Sequence, residues 1–205
     1  LLNTLEDLLD ATNVALAQFG CPARTLAELR TFVGNGARNQ IRLSLPGRDD
    51  DPDLEEVLAF YKEYYSAHCQ NKTAPYPGVM EALEELGKEF PIAIVSNKPD
   101  AAVKTLCARY FPGVYALGEA ADCPRKPAPD MVFKAMKEIG VESCIYVGDS
   151  EVDIRTANNA GVPCVSVLWG FRDRCLLEGE GGRYFCTDAA ALPELLEELA
   201  HESRH

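Results

Sequence analysis

Two carboxylates four residues apart, Asp149 and Asp153, follow an apolar run at 144–147 that ends in Gly148. The run is rich in β-branched and aromatic residues and reads as a buried strand, and beyond it Ile154, Ala157 and Ala160 recur at helical spacing. Ligands of open α/β sheets sit beyond the carboxyl ends of the strands, so Asp149 is placed to face that crevice. Asp153 comes one helical turn later on the same face. Carboxylates this close repel each other unless a cation or hydrogen-bond donors neutralise them. Hard oxygen ligands without a nearby His or Cys suit Mg²⁺. A second reading fits the same residues, because Ser150 as N-cap with an acidic residue three positions on is a capping box.

Two further positions stand at strand exits or loops. Ser96 and Asn97 follow an apolar strand over 92–95 and precede a helix, so a hydroxyl and backbone N–H groups would face the crevice beside a helix N-terminus. Such a place holds anions, and it is equally the place of a plain N-cap. Lys126 sits in CPRKPAPD, where Pro127 and Pro129 hold the backbone extended and the second can begin a helix. A stiffened lysine near paired acids is suited to neutralising an anion, whereas a lone lysine in a turn needs no function at all. Hydroxyl, lysine and paired carboxylates, all at strand exits or loops, form a set that chance assembles less readily than any one member.

The elements that must position these groups alternate. The first seventy residues read as helices without a strand: one over 4–19 opened by Thr4 as N-cap, one opened by a Thr25–Glu28 capping box, a short one over 38–45, and a long one from Pro52 to about Gln70. The long helix presents Leu54, Val57, Leu58, Tyr61 and Tyr65 on one face. After a Pro-rich hinge at 75–78, short apolar runs at 92–95, 114–117, 144–147 and 164–168 alternate with helical patterns at 80–86, 131–139 and 193–200, and a helix starts at Pro99 and Asp100. That alternation is the signature of an α/β fold with a doubly wound parallel sheet. The division expected is a helical domain over 1–73 and an α/β core over 74–205, with a frayed tail after Ala200.

Composition narrows the partners. The formal charge of −12 argues against a broad nucleic-acid or anionic-membrane surface, so an anionic ligand must be met by a local basic group. The eight cysteines are scattered singly, with no CxxC pair and no zinc spacing, which predicts free thiols in a reducing cytoplasmic setting. No apolar run reaches the length of a membrane span. A soluble monomer or homodimer is expected.

SNK at 96–98, RKPAPD at 125–130 and VGDSEVD at 147–153 resemble the second, third and fourth motifs of the haloacid dehalogenase superfamily. With WGF at 169–171 the chain looks most like the phosphoglycolate phosphatase branch. The resemblance covers nearly the whole chain and implies a helical cap domain on a Rossmann-like core. It implies a Mg²⁺-dependent phosphatase of small phosphorylated metabolites such as 2-phosphoglycolate. In that reaction Ser96 donates its hydroxyl to the transferring phosphoryl group and Asn97 helps to hold it. Lys126 neutralises the phosphoryl oxygens, Asp149 ligates the metal, and Asp153 orients its shell. The turn at 34–36, with Asn35 and Arg38, is expected to close over the substrate, because its glycines allow close backbone approach and Arg38 can meet a second anionic group.

The chain departs from that pattern in one respect. The Asp-x-Asp-Gly-Thr segment that supplies the nucleophile and the general acid and base is not present, and residues 1–4 resemble those that follow it. A chain starting after that segment would be inactive as it stands. Direct pairing of strands 92–95 and 144–147 would speak against a strand between them, and Leu1 is expected close to Asp149 and Ser96. Two alternatives remain at this stage: a phosphosugar mutase with the same cap and core, and a non-catalytic phosphate- and metal-binding module.

Overall fold

Residues 1–202 are described by a computed structural model, whose chain forms two compact units. One comprises Leu2–Ala74 with Ser96–Asp122; the other comprises Leu1, Pro75–Val95 and the chain from Cys123 on. This division differs at 96–122 from the split at 73/74 expected from the sequence.

The helical unit opens on a two-residue strand, β1 (Leu2–Asn3), followed by α1 (Leu5–Gln18), α2 (Leu26–Phe32), α3 (Gly36–Ser44) and α4 (Leu54–His68). Helix α1 packs along α4, burying Leu8, Ala11, Ala15 and Leu16 together with the expected face of Leu54, Val57, Leu58, Tyr61 and Tyr65. The capping box of α2 forms as expected, with Glu28 N donating to Thr25 Oγ1 and Thr25 N donating to Glu28. Thr4 does not cap α1 with its side chain; Asn3 Oδ1 accepts from Leu5 N instead, at 3.4 Å. Helix α3 starts at Gly36, two residues earlier than expected, and Pro52 lies ahead of α4, whose N-cap is Asp53.

The expectation of no strand in the first seventy residues is corrected by β1, which pairs with β2 (Ala74–Pro75). Both are too short to show a period-two pattern. Where the chain leaves this unit, the buried carboxylate of Asp7 accepts from Lys72 N (2.9 Å), Thr73 N (2.8 Å) and Thr73 Oγ1 (2.8 Å).

After α5 (Val79–Leu86), strand β3 (Ala93–Pro99) runs to α6 (Asp100–Tyr110) and β4 (Tyr115–Glu119). Helix α6 lies against α4, with Arg109 bonded to Gln70 and the Tyr110 hydroxyl donating to the carbonyl of Thr73 at 2.6 Å. Those contacts group 96–122 with the N-terminal helices. Strand β3 is longer than the expected 92–95 and includes Ser96 and Asn97.

The second unit continues with α7 (Asp130–Ile139), β5 (Tyr146–Gly148), α8 (Glu151–Ala160), β6 (Cys164–Val167), α9 (Arg174–Gly179), β7 (Tyr184–Cys186) and α10 (Leu192–Glu202). Strands β5, β6 and β7 form a parallel sheet with Tyr146 opposite Cys164 and Gly148 opposite Ser166. Alternate residues face opposite ways. Tyr146 and Cys164 join Val132 of α7 and Ala157 of α8, whereas Ile145, Val165 and Val167 join Leu86 of α5 and Leu192 and Leu199 of α10. Helices therefore cover both faces, which is the doubly wound arrangement expected.

Strand β5 begins at Tyr146 rather than at residue 144, and α9 and β7 were not foreseen. Among the described residues β3 pairs with β4 and β5 with β6, and β3 and β5 are not paired with each other. None of the eight cysteines forms a disulfide. No helix among the described residues is long and apolar enough to cross a membrane. His201 and Glu202 are still helical; the rest of the tail expected to fray, 203–205, lies outside the described residues.

Asp7→Ala removes at once the acceptor of two buried Thr73 donors and of the part-buried Lys72 N–H. It is expected to cost about 3 kcal/mol in urea unfolding. A loss below about 0.5 kcal/mol would mean that the clamp at 72–73 contributes little.

Candidate active site

At the carboxyl end of β5 the chain turns from Gly148 through Asp149 into α8. Asp153, one turn into the helix, folds back on that turn and is buried, with its side chain 7% exposed. Its Oδ2 accepts from Asp149 N (3.2 Å), Ser150 N (3.1 Å) and Ser150 Oγ (2.6 Å). Its Oδ1 accepts from Lys126 Nζ at 2.7 Å and from the Tyr146 hydroxyl at 3.2 Å. The hydroxyl of Tyr146 also accepts from Lys126 at 3.0 Å. Capping and chemistry are therefore not exclusive here, since one oxygen closes the helix start and the other holds the lysine.

The two carboxylates are pushed in opposite directions. Burial opposes the charge on Asp153, but Lys126 and the donors of Ser150 and Asp149 outweigh it and hold the carboxyl below the usual range. Burial likewise opposes the charge on Lys126, and the pull of Asp153 and Tyr146 leaves its pKa raised. Asp149 is raised, first by burial and next by the charge of Asp153; the Phe171 N–H, the amino group of Leu1 and Lys126 only partly offset this. Leu1 thus lies within electrostatic reach of Asp149.

Asp149 is oriented from the loop after β6. Its Oδ2 accepts from Phe171 N at 2.8 Å. A Cβ on Gly170 would fall 2.1 Å from that same oxygen, and one on Gly148 would fall 2.3 Å from Cβ of Asp153, so glycine is required at both positions by close packing.

Mg²⁺ fits this donor chemistry. Asp153 has both oxygens engaged, whereas Asp149 carries a charge that burial and its neighbour disfavour and that a cation would relieve. Among the described residues no three His, Cys, Asp or Glu side chains gather to hold a metal. Mg²⁺ is commonly bound by one or two carboxylates with water and substrate phosphate filling the rest.

The remaining expected site residues belong to the helical unit. Ser96 Oγ accepts from Lys98 N at 3.2 Å. Asn97 is buried, and its Nδ2 donates to the carbonyl of Gly34 at 3.3 Å, joining the SNK segment to the 34–36 turn. The expectation that Ser96 and Asn97 lie at a helix N-terminus is corrected. The strand continues to Pro99, and α6 begins at Asp100, whose own carboxylate accepts from Gly118 N. Asn35 is the N-cap of α3 without a side-chain cap bond, and Arg38 is paired with Glu55 at 2.7 Å on an exposed surface.

Sequence reasoning did not single out Tyr146, Glu151 or Arg172. Tyr146 stands in the apolar run, whose pattern signals only a strand. The Glu151–Arg172 pair joins residues 21 positions apart, which spacing does not reveal.

Residues 1–167 match the family model described as haloacid dehalogenase-like hydrolase. The chain is 32% identical to a phosphoglycolate phosphatase of Mesorhizobium japonicum, over all of this chain and 94% of that one. It is 35% identical to a phosphoglycolate phosphatase of Cereibacter sphaeroides, over 84% and 82% of the two chains. A crystal structure from Lactobacillus delbrueckii subsp. bulgaricus superposes with a TM-score of 0.86 at 35% identity, covering 95% and 93% of the chains. A haloacid dehalogenase-like family hydrolase from Streptococcus pneumoniae, at 20% identity and TM-score 0.83, covers 98% and 93% and shows the shared fold.

Lys126→Met would leave the Asp153 carboxylate buried without its ion-pair partner, at an expected cost of about 3–5 kcal/mol at neutral pH. The depressed pKa of Asp153 contributes stability that is full above about 3.9 and lost as pH falls through the folded value. The raised pKa of Lys126 contributes stability that is full below about 10.4 and lost as pH rises through the folded value. The wild-type advantage over Lys126→Met should therefore shrink below about pH 4. Denaturant unfolding at pH 7 and pH 3 checks this, and an advantage that persists unchanged at pH 3 would count against the ion pair.

Proposed function

Because the chain belongs to the haloacid dehalogenase-like hydrolase family, we propose that it is a Mg²⁺-dependent phosphatase of small phosphomonoesters, with 2-phosphoglycolate the first substrate to test. The observation that supports this most directly is the buried Lys126–Asp153 pair beside Asp149 at the end of β5. Lysine and carboxylate together make a group that meets phosphoryl oxygens without placing an unbalanced charge in the interior. The curated relatives' names supply the substrate suggestion.

In this reading Lys126 holds the phosphoryl oxygens and lowers the charge felt by an incoming nucleophile. Asp153 fixes the lysine and the turn at Ser150. Asp149 is the metal ligand, and Mg²⁺, when bound, supplies charge stabilisation to the transferring group. Ser96 donates its hydroxyl to that group and Asn97 holds it; Asn35 and Arg38 contribute to substrate choice within a cap formed by 1–73. Phosphoryl transfer depends chiefly on positioning and charge stabilisation, so this division of labour addresses the main barrier. The nucleophile we propose is an aspartate, forming an aspartyl-phosphate that water then hydrolyses.

The test is phosphate release from 2-phosphoglycolate by the full-length protein with Mg²⁺ and with EDTA. Conversion of a bisphosphate to an isomer without net phosphate release would favour a mutase instead.

Asp149→Asn in the full-length protein should lower Mg²⁺-dependent turnover at least about a hundredfold. Its metal-free melting temperature should hold or rise, because the change removes a buried charge facing Asp153. Unchanged turnover at saturating Mg²⁺ would remove Asp149 from the metal site.

A further inference from the structure

We propose that Arg172 and Glu151 are positioning residues for Asp149, acting through the backbone of the 169–171 segment; this rests on the reading of Asp149 as the metal ligand. Arg172 Nε and Nη2 reach the two oxygens of Glu151 at 2.8 and 3.3 Å. Their side chains are only 10% and 16% exposed. A pair this buried adds little net stability, since desolvation cancels most of the attraction, so stability alone does not account for it.

Its location supplies another role. Glu151 is the first residue of α8, where a negative charge is favoured by the helix dipole, and it is rigidly tied to the turn that carries Asp149. Arg172 stands next to Phe171, whose N–H donates to Asp149 Oδ2. The other end of the segment is fixed as well. Leu168 N donates to the carbonyl of Cys186, and Trp169 packs against the core cluster that includes Val165, Val167 and Leu192. Between these two anchors lie Gly170 and Phe171, the residues that touch the carboxylate.

The segment is thus suspended from the core at Trp169 and from α8 at Arg172. With no Cβ on Gly170, its backbone can press against Asp149. Loss of the second anchor would let Phe171 N move off Oδ2, freeing a carboxylate that ought to be held before a cation arrives. A weaker preference for the bound rotamer appears as weaker metal affinity, with the affinity for the phosphomonoester little changed.

The experiment is Mg²⁺ titration calorimetry on the full-length protein and on Arg172→Met, Arg172→Lys and Glu151→Gln, with melting temperatures measured without metal. Arg172→Met is expected to weaken Mg²⁺ binding about tenfold. Arg172→Lys should restore part of it, and Glu151→Gln, which keeps an acceptor for Arg172 and preserves the helix start, should lose about threefold. The Mg²⁺ concentration for half-maximal activity should shift in parallel, while KM for the substrate at saturating Mg²⁺ stays within twofold. Folded variants with wild-type Mg²⁺ affinity and a lowered melting temperature would make the pair purely structural and overturn the proposal. A wild-type protein that binds no Mg²⁺ would overturn the metal reading of Asp149 and this inference with it.

Discussion

The Lys126–Asp153 ion pair is the constraint on which the carboxyl end of β5 depends. A buried carboxylate without partners would cost several kcal/mol, and a buried ammonium as much again. The fold meets both demands in one place, spending the five hydrogen bonds to Asp153 on the lysine, a tyrosine hydroxyl and the backbone and hydroxyl that open α8. The consequence is geometric. Lysine, turn and helix start are tied to one carboxyl group, so none of them moves without breaking contacts that water cannot easily replace.

With Asp153 so engaged, its neighbour is left in the opposite condition. Asp149 shares the burial of Asp153 and feels its charge, yet it has no lysine of its own at hydrogen-bond distance in the contacts that define the site. Two aspartates four residues apart thus acquire different conditions from their surroundings, one neutralised by the protein and the other left with a charge that burial and its neighbour disfavour. The same principle separates acid from base in other carboxylate pairs, where environment drives proton affinities apart.

Much of this was legible in the sequence because it rests on local periodicity. The apolar face of α4, the capping box of α2 and the strand–Gly–Asp–helix turn at 146–153 all follow from residues within one or two turns of each other. What escaped depends on partners distant along the chain or on elements too short to carry a period. Strand β7 has three residues, and β1 and β2 have two each. Ser96 and Asn97 were expected at a helix start because apolar strand residues stop at 95, but backbone pairing does not require apolar side chains, and β3 continues through polar residues to Pro99. Arg38 illustrates the limit for charges, since a basic residue beside a glycine turn looks available until Glu55 is found beside it.

Glycine explains why the two carboxylates can be set so tightly. At Gly148 and at Gly170 the space a Cβ would occupy is already filled by atoms of Asp153 and Asp149 respectively. The carboxylates therefore pack directly on backbone, and the short distance from Phe171 N to Asp149 follows from the missing side chain at its neighbour. A rotamer fixed in this way does not have to be reorganised when charge develops nearby, which is the condition under which electrostatic stabilisation is most effective. Any larger residue at 170 would have to move either the loop or Asp149. Because the loop is anchored by Trp169 on one side and by the Arg172–Glu151 pair on the other, the carboxylate is the part that would yield.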